Sequence, residues 1–157
     1  MANPARVLLV DNQPDFLEVC GFWLASKGYD VRKATSGQEA LRCIETDAPD
    51  VVLLDVRMPQ MGGLETLRRI RTIAKTLPVI LIAADIEETA GERERALAGA
   101  NALGIVGCFA KRNDFRQLGE LLQAALHVRG ADDRVATPVR VLHVLQRILS
   151  TLLPRRR

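Results

Sequence analysis

The sequence predicts an α/β domain in which a doubly wound, five-stranded parallel sheet is covered by helices on both faces. Five short apolar runs recur along the 157 residues, and each is followed by a segment with helical periodicity. The strongest runs are apolar throughout rather than alternating, as is typical of strands buried on both faces. The predicted strands are 7–11, 29–34, 50–55, 77–84 and 105–110.

Helix-start signals lie between these strands. Pro14 opens the first helix, where the fixed backbone angle of proline suits the first turn. Ser36 and Glu39 have the S-x-x-E spacing of a capping box. Gly62 and Gly63 precede the third helix. The predicted helices are 14–27, 36–46, 64–75, 87–101 and 115–128.

The composition changes after residue 128. Residues 1–128 carry 15 Lys and Arg against 17 Asp and Glu, a balance of −2, whereas residues 129–157 carry 7 Arg against 2 Asp, a balance of +5. The net charge of +3 therefore describes a slightly acidic domain with a basic tail, and we expect no direct binding of nucleic acid. Gly, Asp and Pro in residues 129–138 indicate a linker.

Residues 139–157 predict an appended amphipathic helix followed by a basic tail. Three interpretations stay open for this helix. It pairs with a second copy as a homodimer, docks on its own domain, or lies on an anionic membrane. We favour pairing or docking, because the leucines follow 3-4-3 spacing. These are Leu142, Leu145, Leu149 and Leu152.

The cysteines and the apolar runs indicate a cytoplasmic protein. Cys20, Cys43 and Cys108 are odd in number and lack paired spacing, so neither a disulfide framework nor a zinc site is predicted. The apolar run 77–84 is too short to span a bilayer, and the N-terminal run stops at an acid.

Polar residues at the ends of separate strands predict the functional site. Asp11, Asp55 and Lys111 all lie at predicted carboxyl ends, which meet at one edge of a parallel sheet. Carboxylate oxygens suit a hard divalent cation such as Mg²⁺. Without a cation, Asp11 and Asp55 repel each other, and the proton affinity of one rises. An ionised aspartate can attack a phosphoryl group, with a cation and Lys111 stabilising the transferred charge.

Three segments resemble the receiver domains of response regulators in two-component signalling. They are 7–11, 50–63 and 77–82, within a resemblance that covers about residues 5–128. The most specific is 50–63, Asp-Val-Val-Leu-Leu-Asp-Val-Arg-Met-Pro-Gln-Met-Gly-Gly. The resemblance implies a flavodoxin-like fold with strand order 2-1-3-4-5. It also implies that a histidine kinase or histidine phosphotransfer protein donates a phosphoryl group and that Mg²⁺ is required.

By position, the resemblance implies roles for particular residues. Asp55 corresponds to the phosphoacceptor, Asp11 to a metal-site acid and Lys111 to the phosphate-binding lysine. The main-chain carbonyl of Arg57 corresponds to a metal ligand. A domain of this kind is a self-phosphorylating acceptor rather than a conventional enzyme, with slow autodephosphorylation at most.

The chain departs from the family pattern at several of these positions. Asn12 replaces the usual second acid and can offer Mg²⁺ one uncharged oxygen, so weak binding is expected. Ala83 replaces the hydroxyl residue of the fourth strand, and Cys108 falls at the switching aromatic position. Arg112 stands where proline usually follows Lys111, and a cis bond without proline costs about 3 kcal/mol. The segment between Ala83 and Lys111 is also longer than usual.

We expect a phosphorylatable receiver; the alternative is a pseudo-receiver, a binding module of the same fold that acts independently of phosphorylation. A phosphoaspartate phosphatase would need D-x-D, and Gln13 stands where the second acid belongs. A dinucleotide enzyme would need G-x-G-x-x-G there. The residues after 128 are too few for a DNA-binding output domain, so we expect protein partners or a longer natural chain. His127 and His143 are predicted to be surface or packing residues.

Overall fold

The computed structural model of the chain describes residues 3–84 and 90–131. Strands and helices alternate throughout this part, as the apolar pattern predicts. The strands are β1 (Arg6–Val10), β2 (Asp30–Ala34), β3 (Val51–Asp55), β4 (Val79–Ala83) and β5 (Gly107–Ala110). The helices are α1 (Pro14–Ser26), α2 (Gly37–Thr46), α3 (Gly63–Ile73), α4 (Ala90–Ala102) and α5 (Phe115–Ala131).

The strands form one parallel sheet in the order β2-β1-β3-β4-β5. The predicted fold class and strand order are therefore confirmed. Strand order reverses beside β1, which pairs with β2 on one side and with β3 on the other. The ends of β1 and β3 consequently diverge into a crevice, the usual place for a binding site in such sheets.

The sheet divides the core into two layers. Successive strand residues point to opposite faces, so Val7 and Leu9 of β1 pack with α1 and α5, whereas Leu8 and Val10 pack on the side of α2 and α3. Every residue of β3 is buried. The strands are thus rigidly held from both sides, which fixes the positions of the residues at their carboxyl ends.

Element boundaries differ from the sequence prediction by a few residues, most clearly at α5. This helix includes residues 129–131, which were predicted to belong to the linker, and Ala131 is the last residue that the structure describes. Gly130 lies within the helix, since one glycine in a helix costs only about 1 kcal/mol and can be tolerated. The rest of the predicted linker, the appended helix 139–157 and residues 85–89 before α4 lie outside the described residues.

Candidate functional site

Four predicted site residues lie at the carboxyl edge of the sheet. Asp11 directly follows β1, Asp55 ends β3, Ala83 ends β4 and Lys111 directly follows β5. Backbone hydrogen bonds fix the positions of Asp11 and Lys111. The Asp11 N–H donates to the Ala34 carbonyl at 3.1 Å, and the Lys111 N–H donates to the Ala83 carbonyl at 2.9 Å. The strand ends therefore present these residues to a common pocket.

Burial and repulsion make the carboxyl pair unusual. Asp11 is 0% exposed and Asp55 is 3% exposed. Burial raises the pKa of Asp55 to about 6, and the negative charge of Asp11 adds to this shift. Lys111 and the Arg57 N–H, which donates to Asp55 Oδ1 at 3.3 Å, oppose it only in part. Two buried carboxylates with insufficient positive charge favour any cation that can join them.

The Lys111 ammonium lies between the carboxylates, closer to Asp11. Its Nζ is 2.6 Å from Asp11 Oδ2 and 3.7 Å from Asp55 Oδ2. No described peptide bond is cis, so the bond to Arg112 is trans, and the lysine reaches the pocket without the usual proline. The structure thus brings Asp11, Asp55 and Lys111 together.

One buried oxygen in the pocket has an ion-pair partner but no well-aligned hydrogen bond. Asp11 Oδ1 accepts from the Gln13 N–H at 2.8 Å, but Asp11 Oδ2 has no partner with hydrogen-bond geometry. Its contact with Lys111 is therefore an ion pair without a well-aligned hydrogen bond. A buried, under-coordinated carboxylate oxygen beside a second carboxylate fits a hard cation.

The described residues supply only a small charge for such a cation. Within residues 3–84 and 90–131 there is no cluster of three or more His, Cys, Asp or Glu side chains suited to a metal. Asn12, which follows Asp11, is exposed and contributes no charge. Two carboxylates are consistent with the weak binding that Asn12 predicts. The Arg57 carbonyl stays a predicted ligand.

The two predicted switch positions lack the hydroxyl and aromatic groups that the resemblance implies. Ala83 is half-buried, pairs with Ala110 of β5, and has only a methyl group. Cys108 is half-buried against the core layer that contains Leu81. The aromatic ring of β5 is instead Phe109, which is buried in the opposite layer. No hydroxyl–aromatic relay can therefore connect these two positions.

Two residues at the start of α1 contact the lysine, and neither is predicted from the sequence to belong to the site. The Lys111 ammonium donates to Gln13 Oε1 at 2.8 Å and lies 4.7 Å from the centroid of the Phe16 ring. In the sequence, Gln13 stands where a phosphatase would have its second acid, and Phe16 is an apolar residue of the first predicted helix. Their proximity to the end of β1 was the available signal, since residues after a strand end can reach the crevice.

The loop from Asp55 to α3 is held against the pocket by Gly63. The Gly63 N–H donates to the Val56 carbonyl at 2.9 Å, and a β-carbon at this position would lie 2.3 Å from the Asp55 carbonyl oxygen. Gln60 has a positive φ of 67°, which side chains seldom adopt. The tight loop thus brings the start of α3 directly behind the predicted acceptor.

Comparison with known proteins places this fold and pocket in one family. The family model for the response regulator receiver domain matches residues 7–123. The chain belongs to this family, so it is a signalling domain of two-component systems, and the resemblance predicted from the sequence is confirmed.

Curated relatives match over part of their length. Transcriptional regulatory protein GlrR of Escherichia coli (strain K12) is 40% identical over 82 residues, which are 52% of this chain and 18% of GlrR. Response regulator MprA of Mycolicibacterium vanbaalenii is 39% identical over 99 residues, covering 62% of this chain and 42% of MprA. The chain thus spans less than half the length of these relatives.

Solved structures match this chain over nearly their whole length. Chemotaxis protein CheY4 of Vibrio cholerae superimposes with a TM-score of 0.68 at 30% identity, over 78% of this chain and 99% of CheY4. A response regulator receiver domain protein from Clostridium thermocellum gives a TM-score of 0.71 at 26% identity, covering 80% of this chain and 97% of that protein. None of the helices in the described part of the chain is long and apolar enough to cross a membrane.

The raised pKa of Asp55 predicts a pH-dependent stability in the absence of Mg²⁺. The side chain ionises near pH 3.8 in the unfolded chain but near pH 6 in the native protein. The native state therefore holds the extra proton, and the free energy of unfolding falls as pH rises through this window. At about 1.4 kcal/mol per pKa unit, the loss is on the order of 3 kcal/mol.

Asp55→Asn should remove this loss, because the amide does not ionise. Urea unfolding in a chelator between pH 4 and pH 7 should show that the variant gains stability relative to the wild type as pH rises. Parallel curves for the two proteins would contradict the electrostatic account of the pocket.

Proposed function

We propose that the chain is a phosphoaspartate receiver that accepts a phosphoryl group on Asp55 and signals through partner binding. The observation that supports this best is the buried carboxylate pair of Asp11 and Asp55, with the Lys111 ammonium 2.6 Å from Asp11 Oδ2 and 3.7 Å from Asp55 Oδ2. Two buried carboxylates with one ammonium are costly to bury on their own. The same groups are suited to hold a cation and a phosphoryl group together.

In the proposed transfer, a carboxylate oxygen of Asp55 attacks phosphorus in line with the leaving group. For a phosphohistidine donor, the phosphorus–nitrogen bond breaks, and the imidazole nitrogen keeps the electron pair and can then take up a proton. Lys111 donates hydrogen bonds to charge that develops on the phosphoryl oxygens. Asp55 must be ionised to attack, so transfer needs a pH above its raised pKa or a cation that lowers that pKa.

Asp11, Asp55 and the Arg57 carbonyl are the groups that we propose for holding Mg²⁺, with Asn12 as a fourth candidate. When bound, Mg²⁺ neutralises charge on the carboxylates and on the phosphoryl oxygens. The protein positions these ligands through the rigid ends of β1 and β3, so Asp11 needs little rearrangement to coordinate a cation.

Incubation with acetyl phosphate and Mg²⁺, followed by intact mass measurement, tests this proposal. Wild-type protein should gain one phosphoryl group, and Asp55→Asn should gain none. Asp114→Asn is the matched control, because Asp114 is exposed and paired with Arg116, and it should react as the wild type does. An unmodified wild type at high Mg²⁺ would contradict the proposal.

The pseudo-receiver is the second candidate, and Ala83 is the observation that favours it. A methyl group at the end of β4 cannot hydrogen-bond to a phosphoryl oxygen, so phosphate has one contact fewer with which to favour an active conformation. A ligand shifts a conformational equilibrium only through such differential contacts. If the wild type does not gain the mass of a phosphoryl group, the result favours the pseudo-receiver.

Asn12→Asp should tighten Mg²⁺ binding, because it adds a charged oxygen next to Asp11. We expect the dissociation constant to fall roughly tenfold, since ligand charge sets affinity at oxygen sites. Isothermal titration with Mg²⁺ measures this. Asn101→Asp adds the same charge at an exposed position of α4 and should change nothing. An unchanged constant in Asn12→Asp would mean that residue 12 does not face the cation.

We propose a histidine kinase or histidine phosphotransfer protein as the donor and a further protein as the output partner. The relatives GlrR and MprA carry the names of a transcriptional regulatory protein and a response regulator. The domain division stays a proposal in modified form, with the receiver extending through α5 and residues 139–157 forming the appended helix that pairs or docks.

A further inference from the structure

The Lys111 ammonium is held by residues from α1 as well as by the two acids. Gln13 Oε1 accepts its hydrogen bond at 2.8 Å, and the Phe16 ring lies under it at 4.7 Å. A ring face attracts a cation through its quadrupole, and an amide oxygen accepts from an ammonium without adding charge. We call Gln13 and Phe16 the lysine seat. The lysine side chain is 13% exposed, so these contacts surround most of it.

The seat matters because Asp11 competes for the same ammonium. Lys111 Nζ lies 2.6 Å from Asp11 Oδ2 but 3.7 Å from Asp55 Oδ2. The ammonium is thus already paired with Asp11, and any further shift toward Asp11 would take it away from the acceptor. The contacts to Gln13 and Phe16 carry no negative charge that would compete with a phosphoryl group.

Gln13 contacts both partners of the Asp11–Lys111 ion pair. Its backbone N–H donates to Asp11 Oδ1 at 2.8 Å, while its side chain accepts from Lys111. The start of α1 therefore fixes the acid and the base relative to each other. Lys111 also lacks the following proline that is usual in the family, because Arg112 stands there, so contacts across the pocket contribute more to its position.

We propose that Gln13 and Phe16 are positioning residues that hold Lys111 within reach of Asp55 and thereby set how tightly the protein retains a phosphoryl group. The inference rests on the proposed phosphoacceptor function and extends it to residues of α1. Neither residue contacts the phosphoryl group in this proposal; both act through the lysine.

Beryllofluoride with Mg²⁺ is the probe, because it mimics an aspartyl phosphate without turnover. Gln13→Met keeps the side-chain length and the backbone hydrogen bond to Asp11 but removes the acceptor. We expect it to weaken beryllofluoride binding about fivefold, and Phe16→Leu about twofold, since each removes one contact of the ammonium. Gln117→Met is the matched control on the other side of the β5–α5 loop, where Gln117 accepts from Asn113 at 3.0 Å, and it should bind as the wild type does.

A second measurement reports on the lysine itself, without beryllofluoride or Mg²⁺. The chain's lysines are Lys27, Lys33, Lys75 and Lys111, few enough to assign their ammonium signals in ¹H–¹⁵N spectra. The Lys111 signal should show slowed hydrogen exchange and a contact to the Phe16 ring. Gln13→Met should lose this protection, and Gln13→Glu, which keeps an acceptor oxygen, should restore it.

The two measurements separate the seat from the proposed function. If Gln13→Met keeps wild-type beryllofluoride affinity, or keeps the protected Lys111 signal, the proposal that Gln13 and Phe16 position Lys111 is wrong. If the wild type does not bind beryllofluoride at high Mg²⁺, the phosphoacceptor proposal fails and the claim about phosphoryl retention fails with it. The ammonium spectra then still decide whether Gln13 and Phe16 position Lys111.

Discussion

Lys111→Met should slow phosphorylation of Asp55 by acetyl phosphate by about 10²-fold, the size of effect seen when one transition-state donor is removed. The variant removes the ammonium that lies 3.7 Å from Asp55 Oδ2. It also leaves Asp11 and Asp55 with uncompensated repulsion, which further favours the protonated, unreactive form of Asp55. The initial rate of the mass increase at fixed Mg²⁺ measures the effect.

Lys75→Met is the control for this comparison, because Lys75 is exposed after α3 and lies away from the pocket. It should react at the wild-type rate. Thermal unfolding of Lys111→Met should still show a cooperative transition, which separates a chemical defect from a folding defect. A wild-type rate in Lys111→Met would show that this lysine does not assist the transfer.

Gly63→Ala should destabilise the protein by about 2–3 kcal/mol, a large effect for the addition of one methyl group. The new β-carbon would lie 2.3 Å from the Asp55 carbonyl oxygen and 2.7 Å from the Val56 α-carbon. Both atoms belong to the backbone, so no side chain can rotate to make room. The β3–α3 loop must shift, and Asp55 must shift with it. Urea denaturation measures the loss.

Gly99→Ala is the matched control, because a β-carbon at this position in α4 meets nothing within 4 Å. This variant should gain about 0.5–1 kcal/mol, since alanine favours a helix more than glycine does. Equal stabilities for the two alanine variants would contradict the close approach at Gly63.

The sequence was sufficient to predict the sheet and the central residues of the site. Uninterrupted apolar runs such as 51–54 indicate buried parallel strands, and parallel strands bring their carboxyl ends together. Asp11, Asp55 and Lys111 could therefore be assigned to one pocket without coordinates. The apolar pattern of the sequence directly specifies the backbone arrangement of the sheet. The packing of the sheet confirms that arrangement.

The lysine seat could not be predicted in the same way. Whether Gln13 and Phe16 face the pocket depends on the angle at which α1 leaves β1 and on their side-chain rotamers, neither of which a hydrophobic period specifies. The presence of Gly130 within α5 could not be predicted for a related reason. The helix-forming tendency of the residues before Gly130 outweighs the local cost of that glycine. Sequence rules do not specify which of these two effects is larger.

Reductive trapping of the acyl phosphate tests the central claim most directly. Borohydride reduces a phosphorylated aspartate to homoserine and leaves free carboxylates unchanged, so peptide mapping identifies the acceptor by mass. After treatment with acetyl phosphate, Mg²⁺ and borohydride, residue 55 should be recovered as homoserine, and Asp11 should be recovered intact. Homoserine at Asp11, or an unmodified Asp55 in protein that has gained a phosphoryl group, would contradict the assignment of Asp55 as the phosphoacceptor.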